Sequence, residues 1–373
     1  MQNKKLKVGV IGCGTVANSG HLPFYSKSPL VEIAAISDPI ETHLKRAKEK
    51  YNVLKTYANS DDLLNDPDID AVSICSPHWF HAEQVIKAAE NGKHILCEKP
   101  IGINLEEVDK MIDAVEKNNV IFQAATQKRF DLGFQFIKEK IIEKKIGEIF
   151  HASISWYHSM PELKNLSEDA IKEAGMWRMT NKCCGGGDLL DHGPHYFDLF
   201  RWWFGDVKNV SAQVRRVHER ANEDHCAVLL SFKETDVIAL FERSEAFVGK
   251  FYGEETGRIH GTKGTYFFDV PFESFLKPMT IRKRFRKSET SKIKEEEITF
   301  PKDTWNVSYA REIRSFINQI LRLPNEDVGF PKEWIPTIYD GRAGLEIVLA
   351  SYESQRTQST IELPLKNYKS LVW

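Results

Sequence analysis

The stretch Gly12-Cys13-Gly14-Thr15-Val16-Ala17 decides the fold of this chain. It directly follows a short apolar segment, residues 7–11, and fits the pattern G-x-G-x-x-A. In such a turn the first glycine permits the tight bend from strand to helix, the second lets the backbone approach a pyrophosphate, and the small last residue permits close packing. The free amides of the following helix attract an anion. We therefore predict a dinucleotide-binding turn that contacts the cofactor through Gly12, Gly14, Thr15 and Val16.

An acidic residue ends the second predicted strand, residues 31–37. Asp38 lies 26 residues after Gly12, slightly beyond the usual spacing of about 20. A carboxylate here can accept hydrogen bonds from the adenosine ribose and repel a 2′-phosphate, so it favours NAD over NADP. The alternative is a local Asx turn with Pro39.

The first 127 residues alternate between apolar strands and amphipathic helices. Apolar runs at residues 71–76, 94–98 and 120–126 lack the two-residue alternation of a half-exposed strand. Strands that are apolar on both faces and separated by helices are typical of a parallel sheet. We predict a doubly wound Rossmann domain over residues 1–127.

The pattern changes after residue 127, where longer alternating segments predict a large, mostly antiparallel open sheet. A turn is predicted around Gly257. Helices at residues 309–321 and 340–356, with another at 195–204, should cover one face of this sheet. We therefore predict an α/β protein whose second domain, residues 128–373, is an α/β unit that binds substrate and forms oligomers.

Composition excludes several classes of partner. The 373 residues carry 51 Lys+Arg against 53 Asp+Glu, a net charge of −2, which favours neither nucleic acid nor an anionic membrane. No apolar run approaches the roughly 18 residues of a membrane span, so the cytoplasm is the expected location. The six cysteines lack a C-x-x-C pair and are interpreted as reduced thiols.

Two further segments carry titratable groups suited to chemistry. Lys99 follows the predicted strand at 94–98, and ligands bind beyond the carboxyl ends of parallel strands. Downstream, Asp191 and His195 are four residues apart and would share a helix face, where a carboxylate can orient a histidine base. The cluster Asp188, Asp191, His192 and His195 could instead bind a metal, or could begin a capped helix with buried, satisfied histidines.

Taken together, these motifs resemble those of the Gfo/Idh/MocA oxidoreductases, which include glucose–fructose oxidoreductase and inositol dehydrogenases. The resemblance covers nearly the whole chain. It rests on the glycine turn, Ser76-Pro77 with His81, Cys97-Glu98-Lys99-Pro100, Gln127-Lys128-Arg129-Phe130, Trp177-Arg178, the block 185–195, Gly261-Thr262-Lys263-Gly264 and Asp340-Gly341. It implies NAD-dependent, reversible oxidation of a secondary alcohol on a sugar or cyclitol, and a homodimer or homotetramer formed through the C-terminal sheet.

The resemblance also implies a role for each matching residue, with no metal involved. His195 would be the general acid/base, Asp191 its orienting partner or a substrate ligand, and Lys99 the group that binds the reacting oxygen. This mechanism requires Lys99 and His195 to meet over the nicotinamide. Lys99 would also contact the cofactor. The remaining residues would line the cofactor (Ser76, Pro77, His81, Glu98, Gln127, Trp177, Arg178) or the substrate (Arg129, His192). The alternatives are an NAD-dependent glycoside hydrolase of the same family, a non-enzymatic sugar sensor, or a metal-dependent enzyme.

Overall fold

The structure is a computed structural model that describes residues 5–159, 167, 184–246, 254–271, 278–286, 290–302, 304–325 and 329–366. The chain forms two units, one of Met1–Gln127 with Tyr309–Leu345 and one of Lys128–Ser308 with Glu346–Trp373. Residues 309–345 thus group with the first unit, whereas the sequence assigned them to the second domain. The reason is burial, because Ile313, Phe316 and Ile317 belong to the hydrophobic core of the first unit.

A parallel sheet forms the centre of the first unit. Its described strands are β1 (Leu6–Ile11), β2 (Val31–Ser37), β3 (Lys55–Tyr57), β4 (Ala71–Ile74), β5 (His94–Glu98) and β6 (Phe122–Ala125). They are ordered β3-β2-β1-β4-β5-β6, and every pair is parallel. The predicted doubly wound sheet is confirmed, with the short strand β3 added.

The described helices have the following bounds: α1 (Leu22–Lys27), α2 (Glu41–Tyr51), α3 (Ser60–Asn65), α4 (His81–Glu90), α5 (Leu105–Lys117), α6 (Leu132–Ile142), α7 (Asp188–Phe204), α8 (Thr304–Leu321) and α9 (Ile338–Thr357). Capping explains where α5 begins, because the Asn104 side chain accepts a hydrogen bond from the Glu107 N–H. Its apolar face, including Val108 and Met111, is buried. Among the described helices we find none with the length and apolar character needed to cross a membrane.

The second unit contains a mixed sheet. Its described strands are β7 (Ile149–Tyr157), β8 (Val207–Arg215), β9 (His225–Phe232), β10 (Ile238–Ser244), β11 (Glu254–Gly261), β12 (Gly264–Val270), β13 (Thr280–Phe285), β14 (Lys294–Thr299) and β15 (Ile361–Glu362). They are ordered β14-β13-β12-β11-β7-β10-β9-β8-β15. Only β7 and β10 pair in parallel among these described strands, which confirms a mostly antiparallel sheet.

One predicted turn is wrong. Strand β11 runs straight through Gly257, where the sequence predicted a bend. A Cβ atom at this position would lie 2.1 Å from the ring of Phe268 on β12, so the glycine permits close packing within the sheet.

Candidate active site

The predicted cofactor residues of the first unit lie at one edge of its sheet. Each follows the carboxyl end of a parallel strand, and strands of a parallel sheet end at the same edge. The residues are Gly12 after β1, Asp38 after β2, Ser76 and Pro77 after β4, Lys99 after β5 and Gln127 after β6. The topology therefore gathers six predicted positions that are spread over more than a hundred residues of sequence.

The glycine turn has the geometry of an anion site. Gly12 has a φ of +86°, and a Cβ atom there would lie 2.7 Å from the Cys75 carbonyl oxygen, so only glycine fits. A Cβ atom on Gly14 would meet no described atom within 4 Å, and Thr15 beside it is exposed. The turn therefore leaves its backbone open for a diphosphate, at the start of the helical stretch Ala17–His21.

Asp38 holds the glycine turn in place. Its Oδ2 accepts a hydrogen bond from the Cys13 N–H at 2.7 Å, and its Oδ1 accepts one from the Ile40 N–H at 2.8 Å. The second contact is the Asx turn that the sequence left open. His43 Nδ1 lies 3.6 Å from Oδ2, a neighbour that the sequence analysis missed.

His81 connects two loops at the same edge of the sheet. Its Nε2 lies 2.8 Å from the Ser76 carbonyl oxygen, and its Nδ1 lies 2.8 Å from the Pro100 carbonyl oxygen. The side chain is fully buried, and this burial lowers the pKa of His81 below its ordinary value. The Ser76 hydroxyl donates to Gln84 at 2.6 Å. These contacts join the loop after β4 to the loop after β5, and both loops contain predicted cofactor residues.

Glu98 is buried inside the first unit, whereas the neighbouring Lys99 is only half-buried. Glu98 is buried, and its Oε1 lies 2.9 Å from His21 Nε2. Its Oε2 accepts a hydrogen bond from the Lys99 N–H at 3.2 Å. Lys99 is half-buried and is joined to Pro100 by a cis peptide bond.

The predicted catalytic block of the second unit lies on one helix. Helix α7 begins at Asp188, earlier than the predicted start at residue 195. The Glu223 carboxylate explains the difference, because it accepts hydrogen bonds from the N–H groups of Gly187 at 2.6 Å and Leu189 at 3.0 Å. Free N–H groups at a helix start need such acceptors. Glu223 is 36 residues from Gly187, so no local capping pattern reveals it.

Within α7 the carboxylates converge on His192. Its Nδ1 lies 2.8 Å from Asp188 Oδ1, and its Nε2 lies 3.5 Å from Asp191 Oδ2. Asp191 and His195 are both buried and lie about one turn apart on α7. Burial raises the pKa of Asp188 to about 6; the charge of Asp191 adds to this, and Arg243 opposes it.

A buried arginine lies beside this cluster. Asp188, His192 and Glu245 present ligand atoms within 4.8 Å of one another, which is metal-like spacing. However, Arg243 Nη2 lies 3.0 Å from Asp188 Oδ1 and 3.6 Å from Glu245 Oε1. The guanidinium group therefore supplies positive charge beside both carboxylates. The sequence analysis missed Arg243, although an arginine in the inward register of Ala239 and Phe241 on β10 is a visible anomaly.

Arg129, a predicted substrate ligand, forms a buried ion pair. Its Nε and Nη2 atoms each lie 2.6 Å from an oxygen of Asp198. The adjacent Lys128 pairs with Glu255 at 2.8 Å and lies 4.8 Å from the centre of the Tyr196 ring. These contacts give Arg129 and Lys128 structural partners within the second unit. Trp177 and Arg178 lie outside the described residues.

Comparisons with known proteins find separate matches for the N-terminal and the C-terminal parts of the chain. A family model described as an oxidoreductase family with an NAD-binding Rossmann fold matches residues 6–126, and a GFO/IDH/MocA C-terminal domain model matches residues 134–267. Myo-inositol 2-dehydrogenase of Thermotoga maritima is 28% identical over 94% of this chain and 96% of its own length. The uncharacterized oxidoreductase YrbE of Bacillus subtilis is 31% identical over 70% of this chain and 73% of its own length.

Solved structures match the same fold over nearly all of the chain. A levoglucosan dehydrogenase in complex with NADH and levoglucosan superposes with a TM-score of 0.81 over 97% of this chain and 100% of its own. At 22% identity this likeness concerns the fold alone.

Proposed function

The chain belongs to the Gfo/Idh/MocA family of oxidoreductases, and from that premise we propose that it transfers a hydride between NAD and a secondary alcohol of a sugar, sugar derivative or inositol. NAD is favoured over NADP because the Asp38 carboxylate at the end of β2 would repel a 2′-phosphate. Two of the relatives are named myo-inositol 2-dehydrogenase and D-glucoside 3-dehydrogenase, and these names support a substrate of this class.

One observation carries the proposal: a lysine lies at the same sheet edge as an open glycine turn. Lys99 follows β5, and Gly12 and Gly14 follow β1. A bare nucleotide-binding domain needs only the turn, whereas an ammonium group at that edge suits a developing negative charge on a substrate oxygen. Loss of Lys99 would have favoured the sensor alternative, and several of the relatives are named as dehydrogenases.

The proposed mechanism assigns each residue a step. NAD, when bound, supplies the hydride acceptor. His195 takes the hydroxyl proton, and Lys99 stabilises the oxygen as negative charge develops. Asp191, on the same helix, would orient His195 or bind a neighbouring hydroxyl group of the substrate. Proton transfer of this kind contributes about 10²- to 10⁴-fold to rate.

A substrate panel tests this function. Polyols, aldoses, inositols and glucosides would each be mixed with the full-length protein and NAD or NADP, and absorbance at the NADH band followed. We expect steady NADH formation with at least one sugar or cyclitol, faster with NAD. Cleavage of a nitrophenyl glycoside without net NADH would support the glycoside hydrolase alternative, and binding without turnover of any compound would support a sensor.

We propose that oligomers form through the nine-stranded sheet. Leu229 on β9 and Ile238 on β10 lie on one face and are 45% and 48% exposed in the single chain. Light scattering after size exclusion should show a dimer or tetramer, and the double variant Leu229→Glu, Ile238→Glu should shift it toward monomer. A monomeric unmodified protein would contradict this.

We also propose a cytoplasmic location, because none of the five described cysteines forms a disulfide.

A further inference from the structure

We propose that His21 is a positioning residue that holds the Lys99 backbone in place through the carboxylate of Glu98. This inference rests on the proposed function for its kinetic consequence, since it concerns how Lys99 is oriented. It assigns a role to a histidine that lies outside the predicted site residues. All of the contacts that carry it lie within the first unit.

The hydrogen bonds around His21 run in one direction. An ionised Glu98 can only accept, so the His21 Nε2, which is 2.9 Å from Glu98 Oε1, must carry a proton. In the neutral ring Nδ1 then accepts from the Ser73 hydroxyl at 2.8 Å. The Ser73 oxygen in turn accepts from the Tyr25 hydroxyl at 3.1 Å. With Glu98 ionised and His21 neutral, donation passes from Tyr25 through Ser73 and His21 to Glu98.

Glu98 passes this constraint on to Lys99. Its second oxygen, Oε2, accepts a hydrogen bond from the Lys99 N–H at 3.2 Å. Because His21 fixes one oxygen, the carboxylate cannot rotate without breaking a buried hydrogen bond. The backbone from which the Lys99 side chain extends is therefore fixed from inside the unit.

The surroundings make this arrangement hard to replace. His21, Ser73 and Tyr25 are fully buried. A Cβ atom on Gly20 would lie 2.5 Å from the Tyr309 ring, so α8 packs directly against this stretch. Water cannot readily substitute for a lost donor in so tight an environment.

A second buried carboxyl group, Glu312 on α8, lies close enough to Glu98 to be influenced by its charge. No hydrogen-bond partner for either of its oxygens is found among the described residues. Burial raises the pKa of Glu312 well above its ordinary value, and the charge of Glu98 adds to this effect. Burial therefore favours the neutral form of Glu312 more than it would be favoured in an exposed glutamate.

His21 also belongs to the stretch Ala17–His21, which directly follows the glycine turn. That stretch is π-helical, a local widening that often occurs at functional sites. The same side chain therefore links the element that would bind the pyrophosphate to the strand end that presents Lys99.

The test compares three variants of the full-length protein. His21→Leu removes the donor, Glu98→Gln removes one of the two acceptors, and His21→Gln keeps an amide donor at about the position of Nε2. His94→Leu is a matched control, because it removes a histidine hydrogen bond (to the Ile121 N–H at 3.0 Å) at the opposite end of β5. Circular dichroism and NADH titration would establish that each variant is folded and binds cofactor.

Hydrogen exchange at Lys99 is the readout that does not need activity. In His21→Leu and Glu98→Gln we expect exchange of the Lys99 amide, measured by mass spectrometry on a peptide covering residues 96–102, to be about three- to tenfold faster than in the unmodified protein. His21→Gln should restore much of the protection, and His94→Leu should leave the amide unchanged.

Turnover gives the second readout. On the best substrate of the panel we expect kcat to fall about 10- to 100-fold in His21→Leu and Glu98→Gln. NADH affinity should stay within about threefold in His21→Leu, because His21 is not one of the predicted cofactor residues. The double variant His21→Leu, Glu98→Gln should have a kcat no lower than that of either single variant, because both substitutions act through the same contact. His94→Leu should keep kcat within about twofold.

Two results would overturn the inference: a folded His21→Leu protein whose Lys99 amide exchanges at the unmodified rate, or a His94→Leu protein that exchanges as fast. If the unmodified protein oxidises none of the panel compounds, the proposed function fails, but the exchange experiment still decides the role of His21.

Discussion

The Oδ2 atom of Asp38 accepts a hydrogen bond from the backbone N–H of Cys13, at 2.7 Å, across 25 residues of sequence. The carboxylate that would accept hydrogen bonds from the cofactor ribose thus also holds the glycine turn in place. The two roles are compatible, because each carboxylate oxygen has two acceptor positions. They differ in what the loss of the side chain would do.

Asp38→Ala should weaken the binding of both NADH and NADPH. The turn loses its tether, and a buried hydrogen bond of this kind to a charged group contributes about 1.5–3 kcal/mol, so affinity for each cofactor should fall on the order of tenfold or more. Fluorescence titration of both cofactors measures this. An NADPH affinity that rises while that for NADH falls would mean that Asp38 acts only as a ribose-reading group.

Lys99→Met and His195→Asn should each reduce kcat by about 10²- to 10⁴-fold while NADH affinity stays within about threefold. The reason is that both side chains are proposed to act on the reacting oxygen, and Lys99 is only one of several predicted cofactor contacts. Lys87→Met, at a half-exposed ion pair with Asp61, is the control and should keep full turnover. Near-normal turnover in both variants would refute the assignment.

Features whose signal lies within a few residues could be predicted from the sequence, whereas contacts between residues far apart in the chain could not. The glycine turn, the buried strands and the pair Asp191 and His195 each carry a signal within a few residues, so the Rossmann sheet and the candidate catalytic helix could be predicted. Arg243 lies 55 residues from Asp188, and Glu223 lies 36 residues from Gly187. No spacing rule connects such pairs, so the buried charges around α7 were not predicted.

Two errors have the same physical origin. Gly257 was interpreted as a turn because glycine breaks strands, but here its missing side chain makes room for Phe268. Helix α8 was predicted to cover one face of the antiparallel sheet, yet its apolar residues Ile313, Phe316 and Ile317 pack in the core of the first unit. In both cases packing between distant segments outweighed local preference.

Arg129→Met should destabilise the protein strongly, because it leaves the Asp198 carboxylate buried without its ion-pair partner. The expected loss is about 3–5 kcal/mol in free energy of unfolding, measured with urea, whereas Arg129→Met combined with Asp198→Leu should recover most of it. Arg201→Met, which breaks a partly exposed pair with Asp206, should cost less than about 1 kcal/mol. A mild effect of Arg129→Met with a large rise in substrate KM would instead support its predicted role in substrate binding.

Dialysis against EDTA should leave turnover unchanged. The reason is that Arg243 already places a positive charge within 3.0 Å of Asp188 Oδ1, where a metal would have to bind. Activity measured before and after dialysis, with metal content determined by mass spectrometry, checks this. Activity that is lost on dialysis and restored by Zn²⁺ would revive the metal-dependent alternative for the cluster of Asp188, His192 and Glu245.

The cap of helix α7 should make stability depend on pH. Burial raises the pKa of Glu223 from 4.5 to about 7, although hydrogen bonds from Tyr352, Gly187 and Leu189 oppose this. Between these values the folded state holds a proton that the unfolded state has released, so folding stability falls as pH rises from about 4.5 to about 7 and is constant above. The full change is on the order of 3 kcal/mol.

Glu223→Gln removes the carboxyl group that titrates. The melting temperature of the unmodified protein minus that of this variant should therefore decline from pH 5 to pH 8. Scanning calorimetry of both proteins at pH 5, 6, 7 and 8 measures the difference. Glu143→Gln, an exposed residue whose pKa is lowered by Lys140, is the control, and it should not show this decline. A difference that is flat or grows with pH would mean that the three hydrogen bonds outweigh burial and that Glu223 caps the helix as a carboxylate throughout.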